Sequence, residues 1–381
     1  MVQEKTMPAH PPLIPSVALA GLMAFLSSPA LQAEAPAHLQ LGNNEAPPYT
    51  VVEGSVKRLS EGYFDAYSRW INRSVIWAEE FLPFDSWDLM RGGDWILKPW
   101  GQWVNAVPGR RLVLSVPMLV GPWKGDGPKT GSGAGEPVSL EQGAAGAYDA
   151  HFEALARNLV KNGLGNTILR PGWEFNGGWY TWRAGKNPEA FAGYWREIVK
   201  TMRAVPGAEK LQFCWNPTIG LRGSKAFAAW PGDEYVDFVG LDVYDQAWIP
   251  DIYPLPEDAT PEEIQIRREK SWKENLLSDL PGRDGLAFWV KFAREHGNKP
   301  LAICEWGLVY GKHGGRDNPY FIEQMHEFIT NPENNVYFHC YFDVNAPDGD
   351  HMLFPWPEGK GMTKMPEAAK RYRELFGLSS N

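Results

Sequence analysis

Two glutamates stand where a carboxylate side chain could do chemistry. Glu174 lies in the segment 168–179, which reads ILRPGWEFNGGW, and Glu305 lies in the segment 301–307, which reads LAICEWG. Each comes at the end of a short apolar run and is flanked by aromatic residues and glycine. Two carboxylates across a pocket are the minimal equipment for cleaving a glycosidic bond: one protonates the leaving oxygen, and the other attacks the anomeric carbon or activates water.

The strands that must position these glutamates are short and apolar, as buried parallel strands are. A first strand is expected somewhere in 38–54. The other candidates are Ser74–Glu79, Arg111–Met118, Asn166–Arg170, Leu211–Trp215, Tyr235–Val243, Pro300–Cys304 and Val336–Phe342.

Helix signals lie between these strands. Ser139 with Gln142 predicts a capping box for a helix that Gly163 closes. The next predicted helix begins at Asn187–Pro188 and stops by Pro206. Another is capped by Thr260 and Glu263 and lies within a long segment, 246–285, whose role the sequence leaves open. Three more are predicted at Gly285–His296, Pro319–Thr330 and Pro366–Phe376. Strand followed by helix, about eight times in one undivided body, predicts an α/β fold, a single (β/α)8 TIM barrel.

An open doubly wound sheet is the alternative fold. It requires a glycine fingerprint after an early strand. The nearest candidate, Gly125-x-Gly127 with Gly131, has the wrong spacing and lies in a Pro/Gly-rich loop at 121–136. We therefore interpret that segment as a surface or cleft-edge loop.

In a barrel, the strand ends near Trp215 and Tyr244 fall between the two glutamates. Glu174 and Glu305 are then three strands apart, nearly opposite each other across the mouth where barrel enzymes carry their catalytic residues. The chain also has 18 tryptophans. Those near the strand ends are suited to stacking on the C–H faces of sugars.

Three motifs taken together resemble a known family. RPGWEFNGGWYTW at 170–182, YVDFVGLDVYD at 235–245 and PLAICEWG at 300–307 are similar to glycoside hydrolase family 26, β-mannanase-like enzymes of a large retaining clan of barrel glycosidases. The similarity covers roughly residues 50–370. It implies that Glu174 is the acid/base and Glu305 the nucleophile, supported by Arg170 on the acid/base strand and by Tyr244, which would hydrogen-bond the nucleophile.

The residues expected to contact substrate cluster at the same strand ends. They are Trp173, Trp179, Trp182, Trp215, Asn216, Asp242 and Trp306. Each of these residues also has a purely structural interpretation. The tryptophans and Tyr244 could pack in the core or at the rim, Arg170 could form a structural ion pair, and Asn216 could form a turn.

The chain departs from the family pattern twice. Trp173 stands where the family usually has His immediately before the acid/base, and the final strand segment, Tyr337–Asp343, contains no Trp. These differences bear on the usual mannan specificity more than on the chemistry.

Charge and cysteine content limit the other function classes. The chain has 381 residues, with 37 Lys+Arg against 46 Asp+Glu and a net charge of −9, which argues against a nucleic-acid partner. Cys214, Cys304 and Cys340 lie in strand-like runs and are interpreted as buried small hydrophobes. No cofactor or metal site is expected. The 348–351 segment, DGDH, is a solvated loop or a cation site, and His339 and His351 are candidates for the cleft wall.

The N-terminus resembles an export signal. An apolar run at Val17–Leu26 is followed by small residues, which predicts a cleavable signal peptide at 1–33 with cleavage after Ala33; an uncleaved anchor is the alternative. A lead-in at 34–48 and a catalytic domain at 49–381 would follow. We expect a secreted or periplasmic monomer with no membrane contact after cleavage.

The sequence thus predicts a retaining endo-β-glycanase that hydrolyses a polysaccharide: β-mannan, β-glucan or a bacterial exopolysaccharide. Double displacement by the two glutamates is the expected mechanism. A non-catalytic glycan-binding barrel, or a transglycosylase that uses the same site, are the alternatives.

Overall fold

The computed structural model describes residues 46–121, 130–131, 136–221, 226–280, 282–357 and 362–378. The predicted signal peptide, its cleavage site and all but the last three residues of the 34–48 lead-in lie outside these ranges, as does most of the 121–136 loop. No helix within the described ranges is long and apolar enough to cross a membrane.

Eight parallel strands close into a barrel, so the prediction of a (β/α)8 TIM barrel is confirmed. The strands are β1 Tyr49–Glu53, β2 Trp77–Phe81, β3 Arg111–Val116, β4 Ile168–Pro171, β5 Gln212–Trp215, β6 Phe238–Asp245, β7 Leu301–Leu308 and β8 Val336–Tyr341. Each strand pairs with its neighbours in chain order, and β1 pairs with β8, where Val51 lies opposite Cys340. This closure rules out the open doubly wound sheet.

The helices follow the strands around the outside. They are α1 Val56–Ser60, α2 Tyr63–Ile71, α3 Trp87–Met90, α4 Asp94–Ala106, α5 Leu140–Ala144, α6 Asp149–Lys161, α7 Pro188–Arg203, α8 Pro261–Lys270, α9 Leu286–Glu295, α10 Pro319–Thr330 and α11 Pro366–Phe376. A π-helical turn, Ser271–Leu276, continues α8.

Most predicted helices have the expected ends, but one predicted helix is wrong. Thr260 and Glu263 form the expected reciprocal capping box of α8. The single helix expected between Ser139 and Gly163 is instead two, α5 and α6. Ser139 does cap Gln142 N, but the Gln142 side chain accepts from the Tyr148 hydroxyl instead of completing the box.

The three cysteines are buried, as predicted, and they lie inside one end of the barrel. Cys214, Cys304 and Cys340 are free and fully buried in an apolar cluster with side chains such as Val113 and Phe338. This cluster fills the lower end of the barrel and leaves the other end to polar chemistry.

Close contact between α4 and the end of α6 requires a glycine. A β-carbon built at Gly101 would overlap the carbonyl oxygen of Asn162, which is backbone and cannot rotate away. Gly101→Ala should therefore destabilise the protein by about 1–3 kcal/mol, although alanine normally favours helix. Urea denaturation measures this loss. Gly178→Ala, where a β-carbon meets nothing within 4 Å, is the matched control; equal stability of the two variants would contradict the packing argument.

Candidate active site

A buried arginine organises the upper end of the barrel. Arg170 on β4 is 0% exposed, and its guanidinium donates to carboxylates from three other strands: Glu79 of β2, Asp242 of β6 and Glu305 of β7. The distances to Asp242 and to Glu305 Oε1 are 3.1 and 2.9 Å. Ser115 on β3 also accepts from Arg170, at 2.9 Å. One cation thus ties together the ends of five strands.

Three carboxylates face one guanidinium, and the pKa values of Glu79 and Asp242 are raised. Burial raises the pKa of Glu79 to about 7, although Arg170 opposes the shift. Burial, reinforced by the charge of Glu305, also raises the pKa of Asp242 well above its ordinary value. The cluster therefore holds protons that free carboxylic acids would have lost at neutral pH.

Glu305 is held at both carboxylate oxygens. Arg170 donates to Oε1, and the Tyr244 hydroxyl donates to Oε2 at 2.6 Å. Both bonds stabilise an ionised carboxylate. The Glu305 side chain is 8% exposed, so it reaches the surface of the cavity while its charge is paired from behind.

Glu174 lies in a different environment. It follows β4 in a sharp turn with a backbone φ of 50°, and its backbone N–H donates to the Asn216 carbonyl at 2.8 Å. Trp179 Nε1 donates to its carboxylate at 2.7 Å. Burial, followed by the charge of Glu305, raises the pKa of Glu174 to about 8, against the opposing hydrogen bonds of Trp179 and Thr218. This carboxyl is therefore protonated at neutral pH.

Both glutamates open into one cavity of about 490 Å³. Its walls combine several aromatic rings with a few polar groups, which is typical of a ligand site. The lining residues include Trp179, Tyr180, Thr218, Tyr244, Gln246, Trp248, Phe342, Asp348 and His351. A protonated carboxyl and a paired carboxylate that line one cavity can act together as acid and nucleophile.

Part of the chain matches the model of a known family. Residues 149–255, which include Arg170, Glu174 and Tyr244, match the model of glycosyl hydrolase family 26. The family 26 resemblance is confirmed. The matched segment runs from α6 to the loop that follows β6.

Two characterised relatives align over most of this chain. Endoglucanase H of Acetivibrio thermocellus is 32% identical over 257 residues, which are 64% of this chain and 23% of that protein. A mannan endo-1,4-beta-mannosidase of Bifidobacterium adolescentis is 33% identical over 252 residues, 62% of this chain and 23% of that protein. The chain thus spans about a quarter of the length of each.

A solved structure has the same fold. A double mutant of the Cellulomonas fimi endo-beta-1,4-mannanase superposes with a TM-score of 0.51 at 19% identity, over 80% of this chain and 64% of that one. At this identity the similarity supports the barrel fold alone.

The structure brings together four of the residues that the family 26 resemblance pointed to. Glu174, Trp179, Tyr244 and Glu305 all line the cavity, and Arg170 lies directly behind it. Their roles in a reaction remain predictions.

Four tryptophans expected to contact substrate lie elsewhere, so that expectation is corrected. Trp173, Trp182, Trp215 and Trp306 are at most 3% exposed and are absent from the cavity wall. Each indole N–H is already used: their acceptors are Tyr180 Oη, Trp173 O, Ala229 O and His339 Nδ1 respectively. Aromatic residues show the same sequence pattern whether they stack on sugars or pack in a core. Here these four tryptophans pack in the core.

Asn216 and Asp242 are corrected in the same way. Both are 0% exposed, and both bind Arg170; Asn216 Oδ1 accepts from its Nε at 2.8 Å. They position the arginine and do not reach the cavity.

Both departures from the family 26 pattern now have structural consequences. The indole of Trp173, in place of the usual His, packs edge-on against Phe81 and at a tilt against Trp182. At the end of β8, Phe342 lines the cavity and packs edge-on against Tyr244 at 5.8 Å.

Sequence reasoning missed Glu79 and the loop residues. Glu79 had a readable signal, because it is a charged residue within a buried strand. Trp248 and Phe342 had none, since exposure of a loop aromatic depends on packing.

Only some of the residues predicted to form a cleft wall or a cation site line the cavity. His351 lines the cavity, whereas His339 is buried against Thr50 and Trp306. Asp348 also lines the cavity, 3.4 Å from His351. Among the residues that the structure describes, no His, Cys, Asp and Glu side chains are grouped to hold a metal ion.

Removing the arginine tests the electrostatic design. Arg170→Met leaves Glu79, Asp242 and Glu305 buried without their cation, which should cost about 3–5 kcal/mol of unfolding free energy at neutral pH. The folded pKa values of Glu79 and Asp242, already raised in wild type, would then rise further. Groups with raised folded pKa values contribute stability at low pH and lose it as pH rises through the folded pKa, so the deficit relative to wild type should grow as pH rises above about 7.

Denaturation at several pH values measures this effect. Arg157→Met removes an exposed arginine paired with Glu153 and is the matched control, with little change expected at any pH. A deficit that is the same at every pH would show that lost packing, and not charge, causes the destabilisation.

Proposed function

We propose that this chain is a retaining endo-β-glycanase that hydrolyses a polysaccharide by double displacement. One observation carries the proposal. Glu174 and Glu305 line the same cavity, and their surroundings favour a proton on Glu174 and a charge on Glu305.

In the first step, a Glu305 oxygen attacks the anomeric carbon and forms a glycosyl ester. The bond from that carbon to the leaving sugar oxygen breaks, and Glu174 transfers its proton to this oxygen. Arg170 and Tyr244 hold the attacking carboxylate in place, so that little rotational freedom is lost on the way to the transition state.

In the second step, water replaces the leaving sugar. Glu305 is now neutral as an ester, which removes the charge that helped to keep Glu174 protonated. The ionised Glu174 takes a proton from water, and the hydroxyl attacks the anomeric carbon while the ester bond breaks. Glu305 leaves as a carboxylate and the original charge state returns.

The proposed substrates are β-mannan, β-glucan or a bacterial exopolysaccharide. The names of the two curated relatives, an endoglucanase and a mannan endo-mannosidase, support a β-linked glycan. The predicted signal at 1–33 supports a substrate outside the cytoplasm. The N-terminal residue of the exported protein, read by mass spectrometry, would test cleavage after Ala33.

A product screen tests the function. The protein and its Glu305→Ala variant are incubated with β-mannans, β-glucans, xylans and bacterial exopolysaccharides, and products are analysed by chromatography and mass. We expect fragments from wild type and only background from Glu305→Ala, because no ester can form. Glu323→Ala on α10, far from the cavity, is the matched control and should keep full activity. Longer products in place of reducing fragments would indicate transglycosylation, and binding without products would indicate a glycan-binding barrel.

Glu174→Ala separates the two roles. Turnover of the natural glycan should fall about 10²–10⁴-fold, because the leaving oxygen receives no proton. An aryl glycoside with an acidic phenol needs no such proton, so its first step should be spared. Equal losses on both substrates would contradict the acid role.

Trp179→Phe tests the pH dependence. The first step needs the Glu174 proton, so wild-type kcat/KM should decline as pH rises through its pKa of about 8. The Trp179 N–H favours the ionised form, and its loss raises the pKa further, so the decline should move to higher pH. The readout is the midpoint of the decline in a pH–rate profile, with exposed Trp95→Phe as control. A midpoint that stays or falls would refute this coupling.

A further inference from the structure

One tryptophan at the rim of the active-site cavity has no role in the proposed mechanism. Trp248 follows β6 and is 65% exposed, which is unusual for so large an apolar side chain. It lines the active-site cavity and also a second depression of about 420 Å³. The indole is therefore a wall common to both spaces.

The ring is held by two loops that leave neighbouring strands. Ala247 N donates to the His313 carbonyl at 2.9 Å, which joins the loop after β6 to the loop after β7. The His313 ring stacks on Trp248 with centroids 5.5 Å apart and planes at 25°. One face of the indole is thus supported by His313, which favours a fixed ring over a mobile one.

Buried polar contacts fix the loop that carries Trp248. Asp245, at the end of β6, is 1% exposed and accepts hydrogen bonds from the Tyr253 hydroxyl at 2.8 Å and from Asn318 at 2.6 Å. Arg267 of α8 donates to the Pro250 carbonyl at 2.9 Å. The first part of the 246–285 segment, whose role the sequence left open, is therefore held in place by these hydrogen bonds.

The second depression has the composition of a sugar site. Its lining is mainly aromatic and proline surface, with the Arg267 and His313 side chains as polar members. His313 Nδ1 is buried and has no hydrogen-bond partner among the described residues. A flat indole with nearby polar groups suits a pyranose ring, which has an apolar C–H face and a hydroxyl rim.

We propose that Trp248 and the depression beyond it, formed with Tyr253, Arg267 and His313, bind additional sugar units of the glycan whose reacting unit occupies the active-site cavity. The continuity of the two spaces through one indole carries this inference. It rests on the proposed function, because the occupant is the remainder of the same chain. The surface would lengthen the binding site and favour long chains over short ones.

The test compares chain lengths in two readouts. Trp248→Ala and wild type are assayed on ladders of β-1,4-mannan and β-glucan oligosaccharides and on the polymers. We expect kcat/KM to fall roughly tenfold on the polymer and the longest oligosaccharides, and by a smaller factor on the shortest that is cleaved. Trp248→Phe should recover part of the loss, because a smaller aromatic face remains. Trp95→Ala removes another exposed tryptophan, 53% accessible on α4, and should match wild type on every length.

Binding to inactive protein separates this proposal from the proposed function. Glu305→Ala and Glu305→Ala with Trp248→Ala are titrated with the same glycans by calorimetry. Weaker binding of long chains by the double variant supports the extended site, even if no protein releases products. Equal affinity of both for every chain length, an equal loss on short and long chains, or no binding by either would overturn it, even if wild type hydrolyses glycans.

Discussion

The contact between one guanidinium and three carboxylates is the constraint on which the upper half of the barrel depends. Arg170 is fully buried, and such a charge is tolerated only when it is paired and hydrogen-bonded. Its partners Glu79, Asp242 and Glu305 come from three different strands, so the pairing forms only when the barrel closes in register. Because the carboxylates outnumber the guanidinium, part of the cluster stays protonated. The negative charge of Glu305 also raises the pKa of the nearby Glu174.

The different surroundings of the two glutamates follow from that cluster. Glu305 receives Arg170 and Tyr244 and is stabilised as an anion, whereas Glu174 is buried, faces this anion and has Trp179 as its donor. Identical side chains thus have different surroundings, and burial raises the pKa of Glu174. Neutralising Glu305 would lower the pKa of Glu174, which is the alternation that the proposed double displacement needs.

Binding surfaces are added to this fixed centre by loops. The strands supply Arg170 and Glu305, while the cavity walls come largely from segments that follow the strands. Asp245 anchors one such segment, in which Trp248 is exposed and stacks on His313. Loops can change without disturbing the charge cluster.

The sequence by itself determined the barrel, the order of its strands and the two glutamates, although Glu305 lies within β7 and not directly after it as predicted. These depend on local patterns, since short apolar runs predict buried strands and parallel strands present their ends at one face. Only the tertiary structure decided which aromatic side chains meet the cavity. Trp173 and Trp215 turn into the core, whereas Trp248, in a segment with no readable signal, reaches the rim. It also decided that Glu79 pairs with Arg170, 91 residues away. The direction of a side chain and its distant partner depend on strand register and on packing from all sides, and neither is encoded in the neighbouring residues.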